Sequence, residues 1–93
     1  MTYLRVLWKH SLADEPVELL SELDERRFEV RKVEVFRGGH KGYAGHTESG
    51  RGTRLSLEPV PCMTDIASDP QFLPEEISRE EFDLAWQDRR GLP

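Results

Sequence analysis

Residues 26–43 read RRFEVRKVEVFRGGHKGY and hold the longest run of β-forming side chains in the chain. Gly38-Gly39 interrupts this run, and a second short extended piece, from His40 to Ala44, follows it. A type I′ turn needs positive φ angles at both central positions, and glycine takes such angles without strain. The stretch therefore predicts a β-hairpin at the centre of a small antiparallel sheet, with the two glycines at the central turn positions.

The first arm of this hairpin changes phase along its length. Phe28 and Val30 share one parity, whereas Val33 and Val35 share the other. Because side chains alternate across a strand, unbroken pairing would turn one of these pairs outward. We predict a β-bulge near Arg31-Lys32, which re-aims the strand. The alternative is a sheet covered on both faces, which a chain of 93 residues disfavours.

Alternation of apolar and polar residues also occurs on both sides of the hairpin. Three such segments predict further strands: Tyr3 to His10, Val17 to Leu23 and Thr53 to Leu57. In the second of them Glu18 and Glu22 are predicted to point outward, and a short helix is the competing interpretation. Gly45 to Gly52 predicts a mobile loop or wide turn. Ile66-Ala67 predicts a single helical turn, and the prolines at 70 and 74 predict an extended segment that crosses the domain.

The C-terminal segment carries the strongest helix signals in the chain. Ser78 and Glu81 have the spacing of a capping box, and Ile77 and Phe82 that of a hydrophobic staple. The helical period then places three apolar side chains on one face: Phe82, Ala85 and Trp86. We expect this face to pack against the sheet.

Composition limits the class of protein. The chain has the length of one domain, residues 1–93, and contains no apolar run long enough for a transmembrane helix. Its N-terminal residues lack the long apolar region of a signal peptide, and the single cysteine, Cys62, fits a reducing cytoplasm. We expect a cytoplasmic α+β domain: a small antiparallel sheet of three or four strands with the C-terminal helix packed on one face.

Charge is segregated along the sequence. The net charge of −5 argues against a nucleic-acid partner, because phosphates attract cationic surfaces. Residues 14–25 and 65–83 are strongly acidic, whereas residues 26–54 are mostly basic. Either these blocks pack together and screen one another, or an acidic face meets a basic partner. The candidate acidic contacts are Asp14, Glu15, Glu18, Glu22, Glu75, Glu76 and Glu80. The alternative contacts, on the basic hairpin, are Arg31, Lys32, Arg37 and Lys41.

The sequence contains no recognised catalytic or metal-binding pattern. The glycine-rich residues 38–45 lack the spacing of a phosphate-binding loop, and Ser49 lacks the surroundings of a hydrolase nucleophile. The adjacent carboxylates at 75–76 and 80–81 do not face each other across a substrate. His10, His40 and His46 have no metal-ligand spacing. We therefore expect no enzymatic activity, no cofactor and no metal; a ligand site built on the histidines is a third alternative.

Sequence motifs along nearly the whole chain resemble a family of small, uncharacterised bacterial proteins. They are W-x-H, EPV-x-L-x-SELD, RFEVRKVEVFR-x-G, GYA, GTRLS-x-EP-x-P and PEEIS-x-EEF-x-x-x-W, found here between Trp8 and Trp86. The family carries no established catalytic motif that could be transferred to these residues. What the resemblance implies is an association with bacterial toxin loci, where small acidic proteins act as immunity partners.

Two hypotheses about function follow. The first is an immunity protein, similar to an antitoxin, whose acidic face binds a cognate protein toxin and covers its active site. The second is a small regulatory or adaptor module that binds a protein or nucleic acid through the basic hairpin. Neither hypothesis involves a membrane.

Overall fold

The computed structural model describes residues 1–50 and 52–90. Its elements, in chain order, are β1 (Thr2–Trp8), β2 (Pro16–Leu23), β3 (Glu29–Phe36), β4 (Lys41–Ala44), β5 (Ser49–Gly50), α1 (Met63–Ala67), β6 (Phe72–Glu76) and α2 (Arg79–Gln87). The strands form one antiparallel sheet in the order β5-β4-β3-β2-β1-β6. The α+β class is confirmed, whereas the expected three or four strands were too few. No helix in the described residues is long and apolar enough to cross a membrane.

The predicted bulge lies in β3, one residue before the predicted position. Glu22 pairs with Arg31, but Leu23 pairs with Glu29, so Val30 is the extra residue. After this bulge Arg31 and Val33 share the face that α2 covers. A consequence is that Glu29 and Lys32, three residues apart, lie on the same face, where their side chains form an ion pair at 3.1 Å.

The β3–β4 turn differs from the predicted type I′ turn. The amide of Gly39 donates to the Phe36 carbonyl at 2.8 Å, and the amide of Phe36 donates to the His40 carbonyl at 2.9 Å. The loop therefore has three residues, and Gly39 alone among them takes a positive φ, of 93°. This is the common three-residue hairpin, in which a β-turn is followed by one left-handed residue.

The β2–β3 turn repeats this geometry without a glycine. The amide of Arg27 donates to the Asp24 carbonyl and the amide of Asp24 donates to the Phe28 carbonyl, both at 2.9 Å. Arg27 occupies the left-handed position with φ of 68°. The Asp24 carboxylate fixes the loop further by accepting from the amides of Arg26 and Phe28 at 2.9 Å each.

Two predictions after residue 44 were wrong. Thr53 to Leu57 forms no strand, and Leu57 is 92% exposed. The strand that pairs with the outer side of β4 is instead the two-residue β5, which lies inside the segment predicted as a loop. The stretch at 70–74, predicted as an extended segment that crosses the domain, is extended from Phe72 onward, but as the edge strand β6, which pairs with β1 along Phe72–Glu76. Proline lacks an amide to donate, and Pro74 is tolerated because β6 is an edge strand.

Helix α2 packs on β1, β2 and β3 as predicted. The amide of Glu81 donates to the Ser78 hydroxyl at 3.1 Å and the Ser78 amide donates to the Glu81 carboxylate at 3.3 Å, which confirms the capping box. Ile77 and Phe82 are both buried. The helix-side core consists of Tyr3, Leu20, Val33, Ile77 and Phe82, with Val35, Ala85 and Trp86 packed against it.

The opposite face of the sheet is partly covered as well. Leu4 and Leu23 are buried there, beneath the largely irregular residues 53–71. This segment is held by the Ser56 amide, which donates to Glu29 at 2.6 Å, and by the Thr53 hydroxyl, which donates to Glu34 at 2.8 Å. The two-sided sheet that the chain length disfavoured is therefore present together with the bulge.

Candidate functional site

The seven acidic residues predicted as contacts occupy different environments. Glu22 is 7% exposed and lies beneath α2. Its carboxylate accepts from the Tyr3 hydroxyl at 3.0 Å and from Arg31 Nε and Nη2 at 2.6 and 3.1 Å. The prediction that Glu22 points to solvent was wrong, because α2 covers the polar side of β2. Glu22 is a structural residue in this arrangement.

Two buried residues in the cluster around Glu22 have shifted pKa values: Glu22 itself and Tyr3. The hydrogen bonds from Arg31 hold the pKa of Glu22 below its usual value, against the opposing effect of burial. Burial raises the pKa of the Tyr3 hydroxyl, and the neighbouring Glu22 carboxylate raises it further. Arg31 also contacts Asp83 at 3.1 Å and lies 4.9 Å from the centre of the Phe82 ring. Shifted pKa values often mark active sites, but Glu22 and Tyr3 are buried between helix and sheet, which favours a structural role.

Glu18 and Glu75 flank Arg5 on the helix side of the sheet. Arg5 Nε lies 3.7 Å from the Glu18 carboxylate, and the guanidinium also pairs with Glu75. One guanidinium is thus shared by two carboxylates, which leaves this group with one net negative charge.

The remaining four predicted acids are exposed and form no ion pair within residues 1–50 and 52–90. They are Asp14, Glu15, Glu76 and Glu80. The first two lie in the β1–β2 connection, beyond the Trp8 end of β1. Glu76 pairs with Leu4 nearer the opposite end, and Glu80 follows in the first turn of α2. The predicted acids thus form two exposed groups, not one continuous face.

The four basic residues of the alternative face are separated by the sheet. Arg31 lies under α2, whereas Lys32 points to the opposite side, where its ammonium donates to the Arg54 carbonyl at 3.0 Å. The Arg37 guanidinium donates to the His10 carbonyl at 2.5 Å, and Lys41 pairs with Asp88. All four cations have intramolecular partners, so the hairpin does not present them as one surface.

The histidines do not converge. The His10 ring accepts from the Leu12 amide at 2.9 Å and contacts the Pro16 carbonyl at 2.7 Å, and the His40 ring stacks on Phe36. Across the described part of the chain, no group of three or more His, Cys, Asp or Glu side chains could hold a metal ion.

Two clefts open on opposite faces of the sheet. The helix-side cleft, of about 430 Å³, lies beside α2 over Leu20, Val33 and Val35. Arg5 and Lys41 line it, and both are neutralised by the acids described above. This cleft therefore has little net charge.

The loop-side cleft, of about 380 Å³, lies between the sheet and residues 60–69. Its apolar lining consists of Leu4, Val6, Leu19, Val60, Pro61, Ile66 and Phe72, and its polar lining consists of Ser21, Glu29, Asp65 and Asp69. Sequence reasoning missed this site because its two walls come from strands and from an irregular segment far away in sequence. The only available signal was that apolar residues at 60, 66 and 72 recur between prolines.

Arg27 fixes one wall of the loop-side cleft. Its guanidinium donates to the carbonyls of Val60 and Pro61 at 2.8 and 2.7 Å, and its backbone carbonyl accepts from the Val60 amide at 2.8 Å. These three bonds connect the β2–β3 turn to the covering segment and define the position of its apolar side chains.

A family model described as "Domain of unknown function (DUF6881)" matches residues 2–91. The chain belongs to this family. The match covers the sheet, both helices and both clefts. No curated protein and no solved structure matches the chain.

Proposed function

We propose that the chain is an immunity protein that binds a cognate bacterial toxin in the cytoplasm and covers its active site, without catalysis of its own. One observation carries the proposal: in the described residues, the acids outside intramolecular ion pairs outnumber the cations outside them. Seven basic side chains form intramolecular ion pairs: Arg5, Arg31, Lys32, Lys41, Arg79, Arg89 and Arg90. Arg27 and Arg37 donate to backbone carbonyls.

The acids left outside these pairs are numerous. Exposed acids without an ion pair in the described parts of the chain include Asp14, Glu15, Glu25, Glu58, Asp65, Asp69, Glu76 and Glu80. The paired cations are matched by an equal number of paired carboxylates, so ion pairing leaves the net charge of −5 unchanged. Exposed cations without an ion pair in the described residues, such as Lys9, Arg26 and Arg54, are fewer than these acids, so the surface that a partner meets is net acidic. Such a surface attracts a basic partner and accelerates encounter, and a toxin that cleaves nucleic acid has a basic active-site cleft.

The fold supports a mechanism of steric occlusion. A six-stranded sheet stabilised on both sides presents a surface that needs little rearrangement on binding, which limits the entropy lost in the complex. The alternative function, binding through the basic hairpin, has less support, because Arg31, Lys32, Arg37 and Lys41 all have intramolecular partners.

The proposal is tested by association kinetics with the product of a toxin gene adjacent to the gene for this chain. Binding should slow as salt increases, because exposed charges are screened. Glu76→Lys with Glu80→Lys, or Asp14→Lys with Glu15→Lys, should reduce the association rate several-fold at low salt in at least one case. Arg54→Glu, which adds negative charge at another exposed position, is the opposite-sign control and should not slow association.

Circular dichroism should show unchanged folding for each of these variants. If no adjacent gene product binds, the immunity function is refuted. If binding occurs but both acidic pairs are silent and variants of the basic hairpin abolish it, the alternative function replaces it.

A further inference from the structure

The loop-side cleft exposes apolar surface at the middle of the sheet, where a β-sheet domain normally has continuous cover. Val6 on β1 and Leu19 on β2 lie on strands with neighbours on both sides, yet both side chains are only half-buried. Ile66, on the covering side, and Phe72, on the edge strand β6, are also half-buried. Incomplete cover over two inner strands leaves a recess lined by aliphatic and aromatic side chains, which suits an apolar side chain from another molecule.

The rim of this cleft is acidic. Asp65 and Asp69 line it, both are exposed, and neither forms an ion pair in the described segments. Glu76 lies nearby on the same face of the sheet, because its register partner is the cleft residue Leu4. The third acid in the lining, Glu29, is neutralised by Lys32. An apolar recess with uncompensated carboxylates at its edge is complementary to an apolar group flanked by cations.

The recess is formed before any partner arrives. Arg27 holds Val60 and Pro61 through three hydrogen bonds, and Glu29 holds the segment at Ser56. Pre-formed walls reduce the ordering cost of binding, so that a short segment could bind measurably.

We propose that the loop-side cleft receives a peptide segment of a protein partner, in which an apolar side chain is flanked by lysine or arginine. This inference rests on the proposed function, since it names the surface and the side-chain chemistry by which a basic toxin is held. The apolar side chain fills the recess over Leu4 and Leu19, and the flanking cations approach Asp65 and Asp69.

The test uses a defined probe, the capped pentapeptide acetyl-Lys-Leu-Phe-Leu-Lys-amide, titrated into the ¹⁵N-labelled protein and followed by two-dimensional NMR. We expect saturable shifts at residues 60–72 and on β1. Two comparison peptides separate the contributions: one with glutamate in place of lysine, and one with glycine and serine in place of the apolar residues. Both should bind at least several-fold more weakly.

Matched variants test the site itself. Asp65→Asn with Asp69→Asn removes two rim charges and keeps a side-chain oxygen where Asp69 accepts from the Gln71 amide at 2.9 Å. This pair should weaken peptide binding about fivefold, the effect expected for two exposed ion pairs. Glu81→Gln with Asp88→Asn removes the same charge on α2, across the sheet from the cleft, and should leave binding unchanged. Ile66→Ala should weaken binding because it removes apolar surface from the cleft. If this variant folds poorly, the test relies on Asp65→Asn with Asp69→Asn.

Other outcomes overturn the inference. Peptide-induced shifts outside the cleft would refute it, and so would equal binding of the glutamate peptide. Cleft shifts that depend on protein concentration without peptide would also refute it, because they would show that a second copy of the chain is the occupant. The proposed function is judged separately. A toxin that binds the wild type and the rim variant equally would refute the cleft and leave the immunity function standing. Peptide binding at the cleft without any toxin partner would support the cleft as a binding site and refute the immunity function.

Discussion

Replacement of the buried Glu22 by glutamine tests the interpretation that the Glu22–Arg31 network fixes α2 to the sheet. Glutamine has nearly the same size as glutamate but carries no charge. It replaces the carboxylate that accepts from Arg31 at 2.6 and 3.1 Å and from the Tyr3 hydroxyl at 3.0 Å. Arg31 would keep Asp83, at 3.1 Å, as its remaining partner. The substitution thus changes the electrostatics around a buried carboxylate without creating a cavity.

The magnitude follows from burial and from the number of bonds. Removing one member of a buried ion pair typically destabilises a protein by about 3–5 kcal/mol. Arg31 is partly exposed and retains Asp83, so the loss should lie at or below the lower end of that range, and we expect about 2–3 kcal/mol at neutral pH. For a domain of this size, such a loss is a large fraction of the total free energy of unfolding.

The effect should depend on pH in a defined direction. The folded-state pKa of Glu22 lies below its unfolded value of 4.5, so the charged carboxylate stabilises the fold fully above that pH. This contribution is lost as the pH falls through the lowered folded-state pKa. The difference between wild type and Glu22→Gln should therefore be largest near neutrality and shrink in acid below 4.5.

Urea denaturation at a series of pH values measures both quantities. Glu80→Gln, at an exposed position in the first turn of α2, is the matched control and should change stability by less than about 0.5 kcal/mol. A Glu22→Gln variant as stable as the wild type at neutral pH would refute the structural role of the network. A loss that stays constant into acid would refute its electrostatic origin.

Two further substitutions test the packing near the C-terminal end of α2. Trp86→Ala should cost about 2–3 kcal/mol in urea denaturation, less than for a fully buried tryptophan, because the ring is half-buried beneath the Arg89 guanidinium at 4.2 Å; a loss below about 1 kcal/mol would contradict this packing. Gly50→Ala would place a methyl group 2.7 Å from Cζ of Tyr43, so we expect a loss of about 1–3 kcal/mol and faster amide exchange in β4 and β5. Gly38→Ala, whose nearest neighbour would lie at 3.6 Å, is the control and should exchange as the wild type does.

The elements that were readable from the sequence are those determined by neighbouring residues. The capping box and the staple of α2 lie within five positions, and the phase slip in β3 is visible in four apolar residues. The Ser78–Glu81 pair and the Val30 bulge therefore appear close to their predicted positions. Local chemistry decided these features, and the rest of the fold did not override it.

The elements that were misread depend on pairing over long distances. Phe72–Glu76 contains a proline and lacks regular alternation, and it becomes a strand only because the free edge of β1 accepts it. Thr53 to Leu57 alternates well, but the hydroxyl of Thr53 and the amide of Ser56 donate to carboxylates on the sheet instead of joining a ladder. Alternation indicates which side a residue takes but not whether a partner strand is present.

The same limit explains the errors about charged residues. Alternation correctly placed Glu18 and Glu22 on one side of β2, but it gave no information about the helix that covers that side. The partners of Glu22 are nine and nineteen residues away in sequence. Likewise the rim acid Asp69 is far in sequence from the strand residues, such as Leu4, that line the same cleft. Exposure of a carboxylate is thus a property of the tertiary fold, and the sequence predicted the acidic character of the surface better than its location.

The two three-residue turns show how the cleft itself was hidden. In the β3–β4 turn the left-handed position is filled by Gly39, the residue that such a position favours, and a hairpin could be predicted there. In the β2–β3 turn the same position holds Arg27, whose left-handed backbone costs about 1–2 kcal/mol relative to an ordinary conformation. Three hydrogen bonds to Val60 and Pro61 offset that cost, and glycine at this position could not make the two that come from the guanidinium. The turn itself does not explain an arginine at this position, whereas the wall of the loop-side cleft that Arg27 holds in place does. The left-handed backbone of Arg27 is thus connected to the surface proposed for binding.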